Sequence, residues 1–302
     1  MSFNKFFGAA FLIAAALSSC ADEKNTPDVS GIKVSLTAFR FDKDFFSMDT
    51  AHAEAALTQL QKKYPLFLND FLYNILALPP QQDSVLKKVK LFIHDYKPIY
   101  DSVQLHFAST ENEEKEIKRG LQMLKYYFPE YHAPDSIIFF VGPLEGYANV
   151  LTQTGFAVGL QLYLGKNFTA YNTEYISNVY PQYQSRRFEA AYIAANCIKN
   201  IISDMYPENN VAQPLIYQMI DAGRRLYVLD KLLPETADTV KTGYTQQQLD
   251  GCYEHEALIW NYFAGYDLLF SNDVTATRDY MNDGPKTDMI GEASPGFIGQ
   301  FV

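Results

Sequence analysis

The hydrophobic period of this chain changes twice, and that narrows its possible folds more than any other feature. Between residues 49 and 127 apolar side chains recur at helical spacing, over 49–63, over 80–92 with a continuation towards Phe107, and over 111–127. Tyr64-Pro65 and Phe128-Pro129 stop the first and last of these runs. Two short apolar stretches follow, "SIIFFVG" (136–142) and "FAVGLQLYLG" (156–165), which read as buried strands with a loop between them able to form a hairpin turn. Helical spacing then returns over 187–206, 214–233 and 245–270, the last weakened at Gly251 and Gly265. Upstream, "IKVSLTAF" (32–39) alternates apolar and polar side chains, as a half-buried strand does. No internal repeat is present. The pattern predicts an α+β, mainly α-helical fold in which a small sheet packs on a long helix.

The core is well supplied, with 22 Tyr, 22 Phe and 48% hydrophobic residues. One globular domain over 32–302 is therefore expected. Its last residues, 297–302, turn apolar again, so the chain is expected to stop where a further buried element begins, an apparent truncation.

The N-terminus reads differently. Lys5, an apolar run from Phe6 to Leu17 and then Ser18-Ser19-Cys20 make residues 1–19 a signal peptide, since the run is too short to span a bilayer. The segment resembles a bacterial lipoprotein signal, which implies that Cys20 is acylated and becomes the first residue of a lipid-anchored protein. Residues 20–31, polar with Pro27 and Gly31, are expected to be a flexible tether. Once Lys5 is removed, 24 of the 25 basic side chains face 35 acidic ones, which argues against nucleic acid as a partner. Cys197 and Cys252 remain, and two unpaired thiols are expected because Cys197 lies on an apolar helix face.

Motifs for chemistry are scarce. The chain contains no His-Glu-x-x-His, Cys-x-x-Cys, phosphate-binding glycine loop or Gly-x-Ser-x-Gly, and no cofactor is expected. Glu254, His255 and Glu256 read as a solvated helix face. Two arginine pairs stand out in an acidic chain, Arg186-Arg187 and Arg224-Arg225. They either pair internally with Asp204, Asp221 or Asp230, or capture an acidic group. Asn196 and Asn200 share one helix face.

The segments "FRFDKDFF", "LKYYFPEY", "LYLG", "DAGRRLYVLDKLLP", "GYTQQQLDGCYEHEALIW" and "SPGFIG", with the lipoprotein signal, resemble the gliding-motility-associated lipoprotein family GldB of the Bacteroidota. The resemblance implies a cell-envelope lipoprotein, on the inner or outer membrane, tied to the gliding and protein-secretion machinery. A second resemblance is to a group of predicted zinc peptidases, and implies a degenerate zincin-like architecture. It puts Asn196 and Asn200 in the histidine slots, Cys197 in place of the general base, and Asp221 or Ala222 at the third ligand. Asparagine binds zinc poorly and a thiol does not replace a glutamate base. These resemblances together imply a cleft that binds without hydrolysing, with no metal. The expected binding groove comprises Asn196, Asn200, Asp221, Arg224 and Arg225 beneath "FAVGLQLYLG" as an edge strand, and takes an extended or acidic segment of an envelope partner. Against this stands a plain amphipathic helix, with Glu189, Asn196, Asn200 and Ser203 as its polar stripe. The functional expectation is a non-enzymatic lipoprotein that binds or scaffolds partners of the gliding or secretion machinery. The alternatives are an unorthodox metal-dependent peptidase and a glycan-binding lipoprotein.

Overall fold

The computed structural model describes residues 26–153, 155–207 and 213–281. The signal, Cys20 and the apolar end at 297–302 lie outside the described residues. The folded body starts earlier than the alternation at 32–39 suggests, because Val29, inside the expected tether, is completely buried.

Strand β1 covers Thr37–Arg40 and runs straight into helix α1, Phe41–Phe46. It is shorter than the alternating stretch 32–39. It begins where its partner strand begins, with Thr37 opposite Ser136, while further upstream Gln122 Nε2 donates to the Ile32 carbonyl at 2.9 Å and Lys125 Nζ to that of Lys33 at 3.2 Å. Helix α2 spans Ala53–Lys63, and a short helical turn leads into a wide π-turn over Asp70–Ile75. Helices α3 (Gln82–Asp95), α4 (Lys97–His106) and α5 (Glu111–Tyr127) complete the N-terminal layer. In α5, Glu111, Glu113 and Glu114 sit in the first turn and Lys125 in the last, each complementing the helix dipole.

The sheet has the order β1-β2-β4-β3. Strands β2 (Ser136–Phe140) and β4 (Gly155–Gly159) are buried throughout and pair in parallel, as strands covered on both faces do. The expected loop between the two apolar runs holds one more strand, β3 (Asn149–Thr152), which pairs with β4 antiparallel. Two expectations are corrected here. The run "FAVGLQLYLG" is a strand only as far as Gly159, and it is not an edge, because β3 covers it. The strand ends where Gln161, completely buried, turns its side chain onto the loop: Oε1 accepts from the Gly142 N–H at 3.0 Å and Nε2 donates to the Pro143 carbonyl at 3.3 Å.

Helix α6, Tyr192–Met205, lies against β3, α5 and α7 (Leu215–Leu232). It starts later than residue 187 because the chain before it is tied to the segment after β4: Glu189 bridges to Leu164, and the Phe188 carbonyl accepts from the Gly165 N–H at 2.8 Å. Ile193, Ala194, Ala195, Cys197, Ile198, Ile201 and Ile202 are all buried. At Gly120 of α5 a Cβ would come within 2.9 Å of Ile198 Cδ1, so glycine sets the approach of these two helices. The last long helical run divides at His255 into α8 (Gln246–Glu254) and α9 (Glu256–Gly265), followed by α10 (Val274–Met281). Gly251 sits buried inside α8, while Gly265 does end α9. These helices form a second apolar cluster around Tyr244, Leu249 and Phe263, on the first half of α7.

The motif "FRFDKDFF" proves to be structural. Asp42 is completely buried, and Arg40 grips it twice, Nε to Oδ1 at 2.8 Å and Nη2 to Oδ2 at 2.6 Å. Gln104 Nε2 adds a bond to Oδ2 at 2.8 Å, and Arg40 Nη1 donates to the Phe107 carbonyl at 2.9 Å. Beside them Phe41, Phe45, Phe67 and Phe71 pack, mostly edge to face. Replacing Asp42 by Ala leaves the Arg40 cation largely buried and unpaired. The variant is expected to lose about 3 to 5 kcal/mol of stability in urea denaturation.

Candidate functional site

The two asparagines of α6 have different fates. Asn196 points inward: its Nδ2 donates to the Tyr163 hydroxyl at 2.9 Å, that hydroxyl donates to Asn149 Oδ1, and Asn149 Nδ2 donates to Cys197 Sγ at 3.2 Å. The circuit ties α6 to β3 and to the segment after β4. Tyr163 and Cys197 are essentially inaccessible. Burial pushes the Cys197 thiol up to about 12, despite the opposing hydrogen bond from Asn149, and raises the Tyr163 phenol as well. A protonated, shielded thiol is neither a base nor a nucleophile at neutral pH.

Asn200, one turn on, lines a groove of about 990 Å³ with Ser203, Asp204, the edge of β3 and the π-turn. The phase of the ladder decides what that edge offers. The Gly159 N–H bonds to the Ala148 carbonyl at 2.7 Å, so Asn149 and Leu151 are the non-bonded members of the β3–β4 register, opposite Val158 and Phe156. Their N–H and C=O groups therefore point away from β4, to the open side. Among the described residues no strand pairs there. The groove's charged side chains are Asp70, which accepts from Asn74 at 3.0 Å, and Asp204, which accepts from the Tyr131 hydroxyl at 2.7 Å. It is thus an acidic groove, not one that suits an acidic segment.

Asp221, Arg224 and Arg225 lie elsewhere. They line a second hollow, of about 560 Å³, with Tyr206 and Tyr227. Arg225 Nε pairs with Asp221 Oδ2 at 2.8 Å, and its Nη2 donates to the Tyr206 carbonyl at the end of α6. Internal pairing, one of the two readings of this arginine pair, holds for Arg225, while Arg224 is exposed. The expected single groove is therefore three places: Asn196 in a buried circuit, Asn200 in the β3 groove, and the α7 residues in the second hollow. Glu254 and Glu256 are exposed, as a solvated face requires. Among the described residues no three His, Cys, Asp or Glu side chains converge to hold a metal.

Sequence reasoning missed Asn149, Tyr163 and the whole of β3. The one local signal was "NVLT", a short β-prone run followed after two residues by Gly155, the spacing of a tight hairpin.

Cys197 and Cys252 are both free and sit in different clusters, and burial lifts Cys252 to about 11. Native protein at pH 8 should therefore resist iodoacetamide at both thiols, and urea-unfolded protein should react at both, as read by mass spectrometry. Both folded values lie above the ordinary 9.0, so the native state holds these protons longer than the unfolded chain. Their stabilising contribution is complete below pH 9 and declines as pH rises towards 11 and 12. Asn196→Ala, which strips the buried Tyr163 hydroxyl of a donor, should cost about 1 to 3 kcal/mol. Asn200→Ala should stay within about 0.5 kcal/mol of the parent in the same urea titration.

No curated protein and no solved structure matches the chain. The model of the family described as gliding motility protein GldB matches residues 22–302. A match over nearly the whole length joins the separate segments into one relationship, and the chain belongs to the GldB gliding motility family.

Proposed function

We propose that this protein is a non-enzymatic, lipid-anchored component of the cell envelope that supports gliding by holding an extended segment of a partner protein along the open edge of β3. The observation that carries this reading is the outward-facing N–H and C=O groups of Asn149 and Leu151 beside a groove of about 990 Å³. A strand added there gains main-chain hydrogen bonds irrespective of its sequence, while the groove's side chains select it. Asp70 and Asp204 favour a neutral or basic segment over an acidic one.

Support for binding without hydrolysis comes from the circuit beneath the groove. Asn196 and Cys197 have their polar groups engaged by Tyr163 and Asn149. Cys20 is the anchor in this proposal. No helix among the described residues is long and apolar enough to cross a membrane. Acyl chains on one cysteine, at about 0.8 kcal/mol per buried CH₂, suffice to hold the body at the surface.

Leu151→Pro separates the proposed role from folding. It removes an N–H that faces away from β4, so the ladder within the sheet survives and the outer edge is blocked. Expressed in cells lacking the parent protein, the variant should remain folded and membrane-bound yet fail to restore gliding. Normal gliding with folded Leu151→Pro would remove β3 from the function. In the same cells Cys20→Ala should appear in the soluble fraction of washed envelopes, and its tight retention would rule out Cys20 as the anchor.

A further inference from the structure

The outward face of α7 is unusual for a protein with a formal net charge of −10. Tyr217, Ile220, Arg224, Tyr227 and Lys231 follow one another at spacings of three and four, and so form a single stripe opposite the buried Met219, Leu229 and Leu232. The aromatic members are well exposed, Tyr217 at 59% and Tyr227 at 64%. Tyr227 stands between two hollows, of about 560 Å³ and 270 Å³, that share it and Val228. Tyr206 lines the first and Tyr127 the second, so Arg224, Tyr227 and Lys231 border a tyrosine-lined channel made of two adjoining hollows, and Tyr217 and Ile220 extend the stripe beyond it.

Its charge is one-sided. Asp221, the carboxylate lining the first hollow, is already held by Arg225. Arg224 faces solvent, and Lys231 rests its ammonium 5.0 Å from the Tyr227 ring centroid, a position that keeps the cation beside the channel. Tyrosine and arginine are also the side chains that most often carry binding energy at protein interfaces.

We infer that this channel is a second docking surface, and that its occupant is an acidic segment of a partner protein whose carboxylates reach Arg224 and Lys231 while its apolar side chains pack on Tyr227 and Ile220. Charge complementarity selects a polyanion. Ile220 and Val228 offer nothing to sugar hydroxyls and favour a polypeptide over an acidic glycan. The inference is independent of the β3 edge, which lies on the other side of the α6 terminus and carries the opposite charge.

The test is fluorescence anisotropy on the full chain in detergent. The probes are labelled peptides of alternating glutamate and tyrosine and of alternating lysine and tyrosine, with polygalacturonate oligomers as competitors. The glutamate peptide should bind in a salt-sensitive manner, and the lysine peptide should not compete for its site. Arg224→Glu and Tyr227→Ala, both at exposed positions, should each weaken binding at least tenfold, about 1.4 kcal/mol. Leu151→Pro should leave it unchanged. Unaltered affinity in both α7 variants, or no binding of the glutamate peptide, would overturn the inference. So would displacement by polygalacturonate at lower concentration than by unlabelled glutamate peptide, which would reassign the channel to glycan.

Discussion

Enclosure of α6 is the constraint on which the rest of the molecule depends. A helix that buries Ile193, Ala194, Ile198, Ile201 and Ile202 together has to find apolar surface in several directions at once. It finds it in α5, β3 and α7. Close contact is possible because glycine stands at residue 120, opposite Ile198. Any polar group carried inside such a helix needs a partner within the protein. Asn196 meets that demand through Tyr163, and Cys197 accepts from Asn149, so the polar side of the helix fastens the sheet to its support.

Only where α6 emerges do its side chains become available to other molecules. Asn200, Ser203 and Asp204 mark that exit on one side, Tyr206 on the other. Helix termini leave carbonyls without intrahelical partners, and Arg225 takes up the one at Tyr206. Near this end of α6 lie two surfaces of opposite sign, an acidic groove at β3 and a face along α7 that carries Arg224, Lys231 and exposed tyrosines.

What the sequence disclosed follows the range of the interactions concerned. Helix α5 was legible to the residue, because its acidic first turn and the Phe128-Pro129 stop are local signals. The strand expected at 32–39 is confined to its end because its partner begins only at Ser136, opposite Thr37, and nothing nearby in sequence announces that distant register. "LQLYLG" was read as a continued strand because a buried 3₁₀ turn and a buried strand are equally apolar. The candidate site was less legible still. Asn149, Tyr163 and Asn196 come from three separate segments, and only the fold brings them together. Asn196 and Asn200 share a helix face, but helical spacing alone does not say which of them faces a wall and which faces water.

The position of β1 has a consequence for how the chain reaches its native state. Its partner is β2, with Thr37 opposite Ser136, and helices α1 to α5 lie between them in sequence. The β3–β4 pair, by contrast, sets Thr152 opposite Gly155, only three residues on. Loop-closure entropy favours the local hairpin first and delays the distant pairing. Synthesis from the N-terminus therefore delivers β1 long before β2 exists to receive it. The first strand to be made is thus among the last to be locked.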